Sequence, residues 1–327
     1  MLPSSQGPAA ENNEYEMSTI QVEQLSRDYG PVRAVNSISF VVEEGEVLGF
    51  LGPNGAGKTT TMRMLTGSLG LSGGRIEIAG FDIARQSRKA RQQIGYLPER
   101  PPLYPSMTVE DYLDFAARLR GVPPNRRAEA VTKSLVRTDL GTVRGRLIRH
   151  LSKGFKQRVG IAQALVHSPR VLILDEPTSG LDPAQVADIR ELLGELKGEH
   201  TVVLSTHILS EVAATCDRVI IISQGHLIAA GTEADLRSTL TRSQRVELLL
   251  ARPNSATGET LASLDGVIEV EERAGGSFLV TTQGGDVREA LNAAASAFGL
   301  LESRPHGGLE ELYLEALSQN AAGETER

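Results

Sequence analysis

The chain has 327 residues, with 41 acidic against 34 basic for a net charge of −7, and 40% of it is hydrophobic. That length accommodates two domains with cores of their own, and the acidic balance argues against a nucleic-acid binder that relies on a basic face. A single cysteine, Cys216, excludes an internal disulfide, and the longest apolar runs, such as Val219–Ile222, are strand-sized, far short of the roughly 20 residues of a membrane span.

Residues 1–17 are polar, lack periodicity and carry no cleavable-signal pattern, so a disordered tail is expected, with Met17 as an alternative start. Strand-like segments follow at Ile20–Leu25, Ile38–Val42 and Glu46–Leu51, and another at Arg75–Ala79; the early ones are short and closely spaced, as in an antiparallel sheet. After the third comes Gly52-Pro53-Asn54-Gly55-Ala56-Gly57-Lys58-Thr59-Thr60, which matches G-x-x-x-x-G-K-[ST] and leads into a helical pattern over Thr60–Leu69. Glycines let successive backbone N–H groups converge on phosphate oxygens, and the helix N-terminus adds its positive dipole end. Lys58 is placed to reach the β- and γ-phosphates, and the Thr59 hydroxyl to ligate Mg²⁺. A strand before and a helix after make this a nucleoside-triphosphate loop.

Ile94–Leu97 is a further short strand, and from Thr108 to His167 the pattern turns almost wholly helical. Val109, Tyr112, Leu113, Ala116 and Leu119 recur at helical spacing, a second helix runs through Arg126–Val136, and a third is expected over Val159–His167. Val171–Leu174 and Thr201–Leu204 read as buried parallel strands, with a helix over Pro183–Leu196 between them. Asp175 follows the first of these, the place of a carboxylate that orients the Mg²⁺ shell, and Glu176 comes next, ahead of Pro177. Ser179-Gly180-Leu181-Asp182 opens the following helix. His207 ends the second strand, at the carboxyl edge where open α/β sheets bind ligands.

Together with Leu151-Ser152-Lys153-Gly154-Phe155, these segments resemble, in the family's order, the motifs of the ATP-binding-cassette (ABC) ATPases over roughly residues 18–240. The resemblance implies an α/β fold: a phosphate-loop core with an antiparallel β subdomain and a helical insertion at about residues 100–168. It implies ATP and Mg²⁺ as cofactors, Glu176 as general base, and His207 at the γ-phosphate. Thr59, Asp175 and Glu99 would serve the metal, Tyr29 would stack on adenine, and Ser179 and Asp182 belong to a dimer loop. Ser152, Lys153 and Gly154 would act in trans, on ATP held by the partner of a homodimer or of a heterodimer with a second such ATPase. Two departures stand out: Lys153 and Phe155 replace the first glycine and the glutamine of the usual LSGGQ, and Glu99 stands where glutamine is common.

From Arg245 the pattern changes. Strands at Arg245–Leu250, Val267–Glu272, Phe278–Thr282 and Leu300–Ser303 interleave with helices at Glu259–Leu264 and Asp286–Phe298, with a closing helix at Leu309–Leu317. That order predicts a small α+β, ferredoxin-like domain over residues 245–318 before a disordered tail at 319–327. It is similar to the accessory tail of bacterial export-type ABC ATPases. The resemblance therefore implies the ATP-hydrolysing subunit of a bacterial exporter, cytoplasmic and held on the inner face of the membrane by separate transmembrane permease subunits, with no nucleic-acid partner. The alternative is a soluble ABC ATPase of translation or DNA repair; those commonly fuse two cassettes, whereas here each motif occurs once.

Overall fold

A computed structural model describes residues 18–232, 234–236, 243–283, 287–306 and 313, so the expected tails, and the closing helix apart from Tyr313, lie outside the described residues. The chain divides into two compact units at residues 230 and 231, ahead of the boundary near 240 expected from the sequence. The strand His226–Gly231 ends there and completes a sheet of the first unit.

That unit opens with β1 (Ser18–Tyr29), β2 (Val32–Glu43) and β3 (Val47–Leu51), then α1 (Lys58–Leu65), β4 (Gly73–Ile78), β5 (Phe81–Asp82), α2 (Ser87–Gln92) and β6 (Ile94–Leu97). The insertion supplies α3 (Val109–Leu119), α4 (Pro124–Arg137) and α5 (Lys153–Leu165). The core then resumes with β7 (Val171–Asp175), α6 (Pro183–Leu196), β8 (Thr201–Thr206), α7 (Leu209–Thr215), β9 (Arg218–Ser223) and β10 (His226–Gly231).

Two sheets result. One is antiparallel, in the order β2-β1-β4-β5; the other runs β10-β9-β3-β8-β7-β6, with β3, β6, β7, β8 and β9 joined by parallel pairings. The third predicted strand, β3, thus leaves its sequence neighbours for the centre of the parallel sheet. Every residue of β3, β7 and β8 is buried, as strands covered on both faces must be.

β1 and β2 are twice as long as the alternation in the sequence indicates. Gln24 (φ 45°) and Ser37 (φ 49°) sit in left-handed kinks, and β1–β2 pairing shifts register between Val22 and Leu25. Each bulge moves the apolar phase by one residue, which breaks the sequence pattern while the strand continues.

In the insertion, Val109, Leu113, Leu135 and Val159 bury one shared core. Thr108 caps α3 by accepting the Asp111 N–H. α5 begins at Lys153 rather than Val159, because Ser152 caps it by accepting the Phe155 N–H at 3.3 Å.

The second unit contains β11 (Ser243–Leu250), α8 (Thr257–Ala262), β12 (Val267–Arg273), β13 (Ser277–Gln283), α9 (Arg288–Ser296) and β14 (Leu300–His306). Its four strands pair antiparallel in the order β12-β13-β11-β14, the arrangement of a split βαβ unit. Val246, Leu248, Phe278 and Val280 pack with Leu261 of α8 and Leu291 of α9.

Candidate functional site

Among the described residues, the carboxyl ends of β3, β7 and β8 converge on a cavity of about 290 Å³. The loop between β3 and α1 forms one wall through Pro53, Asn54, Gly55, Gly57, Lys58, Thr59 and Thr60. Gly57 is required there: its φ is 107°, and a Cβ would come within 2.6 Å of the Ala34 carbonyl oxygen. No side chain caps α1, and its first turn holds no acidic residue, so its leading N–H groups are left for an anion. Gly52 and Ala56 stand behind the wall; Gly52 O accepts from the Lys58 ammonium at 2.7 Å.

β7 leads to two carboxylates: Asp175, buried behind the cavity lining, and Glu176, which lines it. Asp175 Oδ1 accepts from Ser205 at 2.5 Å and from Thr59 at 3.4 Å, while Oδ2 is buried with no partner among the described residues. Burial pushes the Asp175 carboxyl above its ordinary range; the hydrogen bonds from Ser205 and Thr59 oppose this, and the charge of Glu99 adds to it. Glu176 adopts φ 51°, an uncommon conformation for glutamate, held by donation of its N–H to Ser205 O at 3.0 Å. The kink turns its carboxylate into the cavity. There Oε1 lies 3.5 Å from Lys58 Nζ, and Oε2 accepts from His207 Nδ1 at 2.8 Å.

Glu99 and Ser179 also line the cavity, as does Ala34 of β2, which nothing in the sequence marks. The other sequence-predicted residues lie outside its lining. Tyr29 is 44% exposed, with the Arg27 guanidinium 5.0 Å from its ring centre. Asp182 caps α6 by accepting the Gln185 N–H at 3.0 Å. Ser152 caps α5, the Lys153 ammonium lies over Gly180 of the same chain, and Gly154 packs against the Gln185 side chain. Ser205 is not among the site residues expected from the sequence, although a hydroxyl before Thr206-His207 at a strand end is a usable signal.

Comparison with known proteins agrees with this geometry. The family model described as "ABC transporter" matches residues 35–179. The linearmycin resistance ATP-binding protein LnrL of Bacillus subtilis is 36% identical over 252 residues, covering 77% of this chain and 81% of LnrL. The uncharacterized ABC transporter ATP-binding protein YxlF of the same organism is 39% identical over 218 residues, 67% of this chain and 72% of YxlF. Among solved structures, cbiO1 of Clostridium perfringens, described as part of the ABC transporter complex cbiONQ, superposes with a TM-score of 0.62 at 32% identity, covering 68% of this chain and 92% of that one.

Proposed function

The chain belongs to the ABC transporter ATP-binding proteins, the ATPases of transporters, and from that premise we propose that it energises a bacterial exporter as an ATP-sandwiched dimer. The observation that carries the catalytic part is Glu176: a carboxylate turned into the phosphate cavity between Lys58 and His207. In this reading Glu176 takes the proton of the attacking water. Lys58 and the uncapped N-terminus of α1 hold the β- and γ-phosphates, and His207 contacts the γ-phosphate.

A divalent cation fits beside Asp175. The buried, unpartnered Oδ2 and the upward push on the carboxyl are both relieved by a cation, and the Thr59 hydroxyl and Glu99 supply neighbouring oxygens. When bound, Mg²⁺ neutralises charge on the transferring phosphate. Tyr29, exposed at the end of β1, stacks on adenine once Arg27 releases its ring.

The dimer is supported by where Ser152, Lys153 and Gly154 lie: in one chain they form a helix N-terminus outside the cavity, so they serve ATP only if it belongs to another copy. Ser179 and Asp182 line the seam. Export is supported by the relative named for linearmycin resistance. No helix of the described residues is long and apolar enough to cross a membrane, and the chain acts from the cytoplasmic face through permease subunits. For their docking we assign the groove of about 530 Å³ lined by Pro102, Tyr104, Tyr112, Phe115 and Leu119.

The sandwich is tested by disulfide cross-linking. In a Cys216→Ser background, Ser152→Cys and Asn54→Cys should cross-link between chains when ATP is added to a Glu176→Gln protein, and not without it. Cross-linking that ignores ATP, or none in a protein that binds it, would reject the arrangement.

A further inference from the structure

The turn that carries His207 is held by a residue outside the reacting cluster. β8 ends at Thr206 and α7 begins at Leu209. Thr206 Oγ1 accepts the backbone N–H of Ile208 at 3.0 Å, and its own hydrogen goes to Oε2 of Glu211, 2.8 Å away. Glu211 in turn donates its backbone N–H to the Ile208 carbonyl at 3.2 Å. The Thr206 hydroxyl therefore has one orientation, and Ile208 is tied through both its N–H and its C=O. His207 lies between these anchored residues.

Glu211 is 2% exposed, and its second carboxyl oxygen has no partner among the described residues. A buried acceptor without a donor loses the hydration it had in the unfolded chain. An apolar side chain beside the fully buried Val212 would avoid that loss. Stability alone does not explain a carboxyl here; the hydrogen bond it accepts from Thr206 does.

We propose that Glu211 is a positioning residue for ATP hydrolysis: through Thr206 it fixes the turn that sets the His207 imidazole against Glu176. The inference rests on the roles given above to Glu176 and His207. Phosphate release by the full-length chain tests it, using Glu211→Ala, Glu211→Gln, Thr206→Val, Thr206→Ser, His207→Ala and the His207→Ala/Glu211→Ala pair. Glu211→Ala and Thr206→Val should lower kcat by roughly 10-fold at unchanged KM for ATP, a loss within the range of ångström-scale misplacement. Glu211→Gln and Thr206→Ser, which keep an acceptor and a hydroxyl, should retain most of the rate. The double variant should be no slower than His207→Ala alone, because Glu211 acts through that imidazole.

Multiplying losses in the double variant, or a wild-type rate for Glu211→Ala, would overturn the proposal. A wild-type rate for His207→Ala would instead overturn the assignment beneath it. Imidazole ¹H–¹⁵N spectra give a second readout that needs no turnover: in Glu211→Ala the His207 resonances should shift while those of His226 stay. Unmoved His207 resonances in a folded Glu211→Ala protein reject the positioning role.

Discussion

Replacing Glu176 by glutamine probes binding and chemistry together. The carboxylate stands 3.5 Å from Lys58 Nζ, both side chains being 10% exposed or less. At an effective dielectric constant of about 20, unit charges at this separation attract by roughly 5 kcal/mol. Removing both from water offsets most of that, leaving a net of about 1–2 kcal/mol that the phosphates must overcome to recruit the ammonium. Glutamine preserves shape and hydrogen-bonding reach toward His207 but releases Lys58. ATP should therefore bind about 10-fold tighter, at 1.4 kcal/mol per factor of ten, while kcat falls by about 10²- to 10⁴-fold through loss of the proton acceptor.

Titration calorimetry with ATP and Mg²⁺, phosphate release and size-exclusion chromatography separate these effects. The variant should accumulate as a dimer with ATP and revert to monomer without it. Lys58→Ala should hold neither ATP nor the dimer. Hydrolysis by Glu176→Gln at the wild-type rate would refute the general-base assignment, and unchanged ATP affinity would refute the competition between Glu176 and phosphate for Lys58.

Tyr104 is 49% exposed, edge-on to Phe115 at 5.5 Å; Tyr104→Cys should cross-link to the membrane protein that co-purifies with the chain, and failure there while other faces react would reject the docking groove. Removal of residues after Leu240 should leave ATP binding intact by calorimetry, since every residue lining the phosphate cavity precedes that point; loss of binding by a folded truncation would assign part of the site to the tail. His167 should give an acid-side loss of stability: burial, then the charge of Arg120, holds its pKa down at about 4, against 6.5 for a free imidazole. The unfolded chain binds the proton first, so stability should fall between those two values as pH drops, by up to about 3 kcal/mol. His167→Gln should flatten that slope in urea titrations, and an unchanged slope would place the titration elsewhere.

The sequence makes the buried strands and the phosphate loop legible for the same reason: both are local. Val171–Leu174 and Val202–Leu204 are buried throughout, so each shows as an unbroken apolar run. The loop completes its wall of the cavity within nine consecutive positions. Sheet membership is not local. β3 follows β2 closely in sequence, yet its partners are β8 and β9, and no pattern inside Glu46–Leu51 distinguishes a central parallel strand from a member of the antiparallel sheet. Nor do bulges announce themselves: Gln24 and Ser37 are ordinary polar residues whose positive φ carries β1 and β2 past the point where alternation fails.

The site divides along the same line. Asp175, Glu176 and His207 are visible one at a time as polar residues ending apolar strands; the contacts that give them chemistry join segments far apart in the chain. Thr59 and Ser205 meet at Asp175, and Lys58 and His207 meet at Glu176, only because β3, β7 and β8 are neighbours in the parallel sheet. In the proposed dimer, Ser152 would meet a local and a remote demand with one group. Its Oγ accepts the Phe155 N–H and so caps α5, which is why a serine belongs there within a single chain. That cap uses a lone pair and leaves the hydroxyl hydrogen free to donate. A helix start that satisfies its own backbone through the oxygen can thus present an O–H, together with the Gly154 N–H, to a phosphate held by a second copy. In the proposed dimer, the residue that folds the helix would also be the one that reads the partner's ATP.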